Sequence, residues 1–392
     1  KETELLMYSY LPLEEVLTVF KNDIETRDEI IKRYFKNLPS INEASKKGEL
    51  ETVKYLVNLG IEPNTNTLDN ASESSNLELV RYLIGLGIKP IKYLTLNRAS
   101  NSGNLELVKY LRSLGLKPDK DTLNNASLSG NFEVVKYLIN LGIKFNKITL
   151  NYASGSGNLK LVKYLLDLGI KPEKNTLNEA SRSGNLELVK YLINLGINPD
   201  ENTLNSASKS GNLELVKYLI SLGIKPDQNT LNGANRSGNL ETVKYLVSLG
   251  IKPNKETLYN ANETRNLELV AYLISLGVKP DEDILNYASE TGQFELVVYL
   301  INLGLIPNEL ALNNASLSGN LELVKYLINL GIKPNKETLD KASLSGNLEL
   351  VRYLINLGIE PDEDTLNDAG DDKNNDNNEE LVKYLRSTIM KK

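Results

Sequence analysis

Residues 320–345 read Asn-Leu-Glu-Leu-Val-Lys-Tyr-Leu-Ile-Asn-Leu-Gly-Ile-Lys-Pro-Asn-Lys-Glu-Thr-Leu-Asp-Lys-Ala-Ser-Leu-Ser. Asn320 suits a helix N-cap, because its side-chain oxygen accepts from the first free amides. After it, Leu321, Val324 and Ile328 fall on one helical stripe, and Leu323, Leu327 and Leu330 on a second. That leaves Glu322, Lys325, Tyr326 and Asn329 for water. A helix apolar on two sides predicts the middle layer of a stack. Gly331 suits the left-handed position after the helix, Ile332 supplies a hydrophobic closing contact, and Pro334 blocks continuation. Thr338 is expected to cap a shorter first helix through Leu339–Ser345, and Gly346-Asn347 then turns the chain into the next second helix.

The stretch recurs, and recurrence decides the architecture. The residue equivalent to Tyr326 falls from Tyr55 to Tyr384 in steps of 27, with one step of 28 (Tyr82 to Tyr110) and a last of 31 (Tyr353 to Tyr384). Of 26 glycines, 12 lie five residues after this tyrosine and ten lie seven before it; of 13 prolines, 11 fall in a Gly-[Ile/Leu/Val]-x-Pro tetrad. Punctuation so periodic is architectural. The expected fold is an all-α solenoid of stacked helix-turn-helix repeats, elongated, with almost no β structure. Residues 1–40 lack the repeat and read as an N-terminal helical cap, with helices near Pro12–Phe20 and Arg27–Phe35. Residues 41–369 hold about twelve repeats. Residues 370–392 read as an acidic, Asn-rich loop (Asp371 to Asn378) and a capping helix from Glu379 to Arg386.

Composition narrows the chemistry. The 392 residues carry 45 Lys+Arg against 51 Asp+Glu, a net charge of −6, and no Cys, His or Trp. Without Cys there is no disulfide framework, thiolate nucleophile or Cys-type zinc site. Without His the usual imidazole base and metal ligand are missing. The acidic balance disfavours a nonspecific nucleic-acid binder, whose affinity comes from Lys and Arg on phosphates. No apolar run approaches the ~18 residues of a membrane span. Asp281-Glu282-Asp283 and Asp362-Glu363-Asp364 read as solvated linker charges near helix starts rather than a calcium site. No enzyme activity, cofactor or metal is expected. Glycosylation sequons at Asn70, Asn125, Asn235, Asn262 and Asn314 fall where a glycan obstructs stacking, so an intracellular protein is expected.

Ser-Gly-Asn-Leu-Glu-Leu-Val-Lys-Tyr-Leu-Ile-Asn-Leu-Gly-Ile, residues 318–332, resembles the second helix of ankyrin repeats. Thr-Leu-Asn-Asn-Ala-Ser, residues 122–127, is similar to the ankyrin Thr-Pro-Leu-His-x-Ala-Ala box, with Thr for Pro and Asn for His. The resemblance covers about residues 41–392. Ankyrin repeats run to about 33 residues, and the roughly six absent here fall between the helix-ending Gly and the Thr-Leu box. That segment carries the family's β-hairpin finger, so the resemblance implies partner contacts through the first-helix groove without a finger. Two further resemblances point elsewhere. Tyr8-Ser9-Tyr10-Leu11-Pro12-Leu13-Glu14-Glu15-Val16-Leu17 resembles part of an F-box lacking the family's tryptophan, which implies a ubiquitin-ligase substrate receptor recruited through residues 1–40. The turn Ala-Ser-x-Ser-Gly-Asn is similar to that of transcription-activator-like effectors, which implies a modular nucleic-acid-binding solenoid.

Positions that vary between the chain's own repeats mark candidate contacts. The residue before the first-helix Ala includes Arg98, Asn125, Tyr152, Glu179, Tyr287 and Lys341. It matches the x of the ankyrin box, which the resemblance places on a concave, partner-touching surface. The turn residue three positions later includes Arg182, Lys209, Arg236, Glu263 and Glu290, a basic run passing into an acidic one. On the second helix, the Lys325 column is Lys or Arg in eleven of thirteen repeats; Ala271 and Val298 break it and form an outer apolar strip. Arg265 at a turn-glycine position, Phe294 for Leu and Leu310-Ala311 depart nearby. The expected function is a non-enzymatic scaffold binding a protein partner along the concave first-helix surface, with no nucleic acid, no membrane and a monomeric state.

Overall fold

The computed structural model describes residues 10–35, 38–91, 93–370 and 378–390. Among them are 28 helices and no strand. The chain divides into two compact units, Lys1–Thr203 and Leu204–Lys392. Within each, helical hairpins stack in chain order, first helix on first helix.

Capping chemistry sets the hairpin's proportions. In the reference repeat the second helix is Leu321–Asn329 and the following first helix is Lys336–Leu344, nine residues each. The expected cap at Thr338 is corrected: the N-cap is Asn335. The Thr338 amide donates to the Asn335 side chain at 3.0 Å, and the Asn335 amide donates to the Thr338 hydroxyl at 3.1 Å. This reciprocal box draws residues 336–338 into the helix, so the two helices are equal. Asn320 caps the second helix as expected, accepting from the Leu323 amide at 3.0 Å. Its Nδ2 also donates to the Gly292 carbonyl of the preceding turn at 3.0 Å, so one asparagine ends a helix and ties two repeats. Gly331 at φ 98° closes a Schellman motif, its amide donating to Ile328 at 2.9 Å and the Ile332 amide to Leu327 at 3.4 Å.

Burial revises the two-stripe reading. Leu323, Val324 and Leu327 are fully buried, Leu321 and Ile328 half-buried, and Leu330 is 48% exposed. Leu330 is the C-cap residue, where the chain turns away through Gly331, so no helix covers it. Two ladders hold neighbouring repeats. In the first, the box threonine donates its hydroxyl to an Asn or Asp of the preceding first helix: Thr122 to Asn97 at 2.8 Å, Thr149 to Asn124 at 3.0 Å, Thr338 to Asn313 at 2.7 Å. In the second, the charged second-helix column lies over the next repeat's tyrosine, with Arg81 4.5 Å from the Tyr110 ring, Lys217 5.5 Å from Tyr245 and Lys325 5.2 Å from Tyr353. Lys325 and Tyr326 are therefore inter-repeat contacts as well as wetted side chains.

Two helices precede the hairpins: α1 (Leu13–Val19) and α2 (Ile24–Tyr34). Leu13, Val16, Leu17, Ile30 and Ile31 form their shared core, against which Tyr55 of the first hairpin packs. The first second helix, Leu50–Asn58, has Glu49 in place of the capping asparagine, and Glu49 makes no cap bond. Glu14 of α1 supplies it instead, accepting from the Glu51 amide at 3.0 Å and the Thr52 amide at 2.6 Å. Tyr8 and Ser9 of the F-box-like stretch lie outside the described residues, as does the expected polar loop from Asp371 to Asn378 except for Asn378, which instead begins the last helix. The last helix, Asn378–Ile389, buries Leu381 and Leu385.

Candidate binding face

Each first helix turns its leucine and alanine into the stack, as Leu123 and Ala126 or Leu177 and Ala180 do. The residue before the alanine is thereby held at the rim. Arg98, Asn125, Glu179, Tyr287 and Lys341 are half-buried there, and Tyr152 is exposed. The turn residues Arg182, Lys209, Arg236, Glu263 and Glu290 are all exposed.

The two columns, separate in the sequence, form one surface within each unit. The turn residue of one repeat meets the pre-alanine residue of the next. Arg98 contacts the Glu73 carboxylate, and Arg236 Nε donates to Asn260 Oδ1 at 2.9 Å. A Cβ on Gly233 comes within 3.2 Å of Lys209 Cγ, and one on Gly155 within 3.4 Å of Glu179 Oε2. The pairs are 24 or 25 residues apart, less than one repeat, and that offset is the signal which was available in the sequence. Arg182 also approaches Glu179 at 3.9 Å, an exposed contact of little energetic weight. Of the turn column, Arg182 belongs to the first unit and the other four residues to the second.

The face is not flat. A recess of about 270 Å³ is lined by Asn97, Asp121, Asn124, Asn125, Leu128 and Tyr152. Asn125 Nδ2 is tied to the Asp121 carbonyl at 2.8 Å, which fixes one wall. Leu128 belongs to the variable turn column; Asp121 and the ladder asparagines were not singled out from sequence. The volume is below that of ordinary small-molecule pockets and suits one partner side chain. Leu128 and Tyr152 offer it apolar surface, and the amides offer hydrogen bonds.

Ala271 and Val298 sit on second helices, Leu267–Ser275 and Phe294–Asn302, half-buried and apart from this face. Where Val298 removes the cation, the Phe294 ring meets the edge of Tyr326, centroids 5.6 Å apart at 74°. The acidic linker triplets have structural work: Asp281 caps a helix and pairs with Lys255, and Asp362 accepts from the Thr365 amide and pairs with Lys336 at 2.8 Å. Lys336 and the Thr365 amide hold the Asp362 carboxyl down at about 2. Among the described residues no group of metal-ligating side chains comes together, and no helix is long and apolar enough to cross a membrane.

The chain is similar to the human ASB11 ankyrin repeat domain at 21% identity, over 41% of this chain and 85% of that one, with a TM-score of 0.33. It is also similar to the pentatricopeptide repeat protein PPR10, solved in complex with an 18-nt psaJ RNA element, at 17% identity over 98% of this chain and 73% of that one, TM-score 0.33. No curated protein matches. The family described as Ankyrin repeats (3 copies) matches residues 96–176, 152–230, 177–257, 258–338 and 285–365. Those matches together span more than half of the sequence, and the chain belongs to the ankyrin-repeat family.

Proposed function

We propose that the protein is a non-enzymatic interaction module that binds an extended protein segment along the first-helix face. The observation that carries this reading is the merging of the two variable columns into one rim within each unit, while the leucine and alanine behind it stay constant. Variation concentrated on one surface is what partner recognition requires of a repeat scaffold. In the first unit, the recess beside Tyr152 accepts an anchoring side chain. In the second, Lys209 and Arg236 followed by Glu263 and Glu290 set the direction of a partner of complementary charge, acting on association rate more than on affinity.

The test is selection of peptide ligands against the full chain from a displayed library, with hydrogen exchange locating the bound segment. Protection should fall on first helices. Tyr152→Ala with Leu128→Asn should weaken ligands protecting the first unit. Lys209→Glu with Arg236→Glu should slow association of ligands protecting the second and flatten its salt dependence. Protection confined to second helices, or unchanged binding in both variants, overturns the reading.

A further inference from the structure

We propose that the linker edge of the repeats is a second docking surface, for an extended acidic polypeptide segment carrying apolar side chains. The edge is built where each second helix ends. Leu222, Leu249 and Leu276 are the C-cap residues there, 43–47% exposed. A leucine holds this position in every repeat from Leu59 to Leu357. The edge therefore offers the same apolar group at every repeat, in contrast to the variable first-helix face.

In two runs of repeats a lysine stands three residues beyond the leucine: Lys225, Lys252 and Lys279 in the second unit, and Lys89, Lys117, Lys144 and Lys171 in the first; Glu62, Asn198, Ile306 and Glu360 interrupt the row, and Lys333 stands alone between the last two. All seven lysines of the two runs are exposed, and none forms an ion pair among the described residues. The lysines that begin first helices behave differently. Lys147 and Lys174 reach the cap carboxylates of the next repeat, Glu173 and Asp200, at 2.6 Å each. The fold thus supplies these two lysines with an acid of the next repeat, whereas the seven linker lysines have no ion-pair partner among the described residues.

One of these leucines, Leu276, lines a recess. Between two consecutive linkers of the second unit an open cavity of about 730 Å³ has Val247, Ile251, Leu276 and Val278 on its walls, with Lys252 and Lys279 beside them. Apolar notches flanked by free positive charge complement an anionic chain with apolar side chains. A bilayer is the poorer fit, because interfacial anchors project their apolar groups into lipid, whereas Leu276 joins Val247, Ile251 and Val278 in walling a recess. Spacing favours a peptide too. A polyproline-type chain advances ~9 Å in three residues, close to the 8–10 Å, roughly, between packed helices. Each repeat of the two lysine runs then meets one apolar and one acidic side chain per triplet.

The experiment uses the full chain and a fluorescein-labelled peptide of repeated Leu-Glu-Pro triplets, read by anisotropy. Leu-Gln-Pro and Ala-Glu-Pro peptides serve as controls. The acidic, apolar peptide should bind saturably and release with salt. A variant with all seven linker lysines changed to Glu should lose roughly tenfold or more in affinity, and one with all seven changed to Gln should lose less. Thermal melts confirm that each variant folds, and the Gln variant carries the test if the Glu variant does not. Absence of saturable binding, equal binding of the Gln or Ala peptides, or undiminished binding by a folded Lys→Gln variant overturns the proposal. Lysine-dependent binding to phosphatidylserine vesicles without peptide binding overturns it in favour of a membrane surface.

Discussion

Asp69 occupies a position that most repeats give to asparagine, and the exchange has an electrostatic cost. The Thr95 hydroxyl donates to its Oδ1 at 2.5 Å, while its Oδ2 is buried without a hydrogen-bond partner. Burial raises the carboxyl above its ordinary 3.8, against the lowering by Thr95 and Arg98. A raised folded-state value means that the ionised form is penalised in the fold, so stability falls as pH climbs through the raised value and stays lower at neutrality. Asp69→Asn should therefore stabilise the protein at pH 7 by on the order of 1 kcal/mol, and the gain should shrink on acidification. Thermal melts across the carboxylate range check this; an equal or larger gain at acid pH contradicts it. Asp362 runs the opposite way. Its carboxyl, held at about 2, contributes stability above the ordinary carboxylate range and loses it as pH falls through about 2.

At the scale of the helix, the hydroxyl ladder and its gaps explain much of the chain's local divergence. Tyr259 replaces the acceptor asparagine, and its partner position is Ile284; Tyr259 instead donates to Asp281 at 3.2 Å. The next step has no such compensation: Ala311 lacks the hydroxyl, and Asn286 Oδ1 is buried without a partner. Ala311→Thr should restore the bond and raise stability by about 1 kcal/mol; an unchanged or lowered midpoint in a thermal melt would show that the pocket does not admit the branched side chain. The cation-on-tyrosine ladder yields a second expectation. Ala271→Lys and Val298→Lys together should set ammonium groups by Tyr299 and Tyr326 and hold stability or raise it by up to about 1 kcal/mol, read from thermal melts. We propose that the apolar strip is also a contact for self-association. Sedimentation tests this: a concentration-dependent dimer abolished by the double variant supports it, and an unchanged sedimentation profile removes it. These ladders explain what sequence reading captured. Helix identity, the asparagine cap and the Gly331 ending rest on neighbours a few residues away, and they were legible. The Asn335 cap was missed because Thr338 is itself a good cap residue, and the reciprocal box shows only once the backbone is closed. Glu14 was missed because its partners lie 37 and 38 residues downstream, and the rim because its pairs run slightly out of register with the repeat.

Across the molecule, each repeat touches near neighbours in sequence, so stability is a sum of local terms rather than the property of one core. The stretch from Tyr259 to Ala311 collects the ladder gap, the missing cations and Arg265 in the left-handed region at φ 58°. Its backbone amides should exchange with solvent faster than those of the hairpins at Leu186–Ser221 and Leu321–Asn356 under native conditions. Uniform protection across all three stretches contradicts this ranking. The asparagine that caps its own helix while bonding the turn before it has a consequence for how such a chain changes length. Both partners of every tie come from equivalent positions in adjacent copies. Excision of Leu159–Asn185, one full period, brings Asn158 in front of Leu186 and presents Asn151 to Thr203 where Asn178 was. Every donor then finds the same kind of acceptor, and the shortened chain should melt cooperatively with helical content per residue unchanged. Unequal recombination in a gene of this kind can therefore add or drop copies without unfolding the product, except across the matched Tyr259 and Ile284, which must be inherited together.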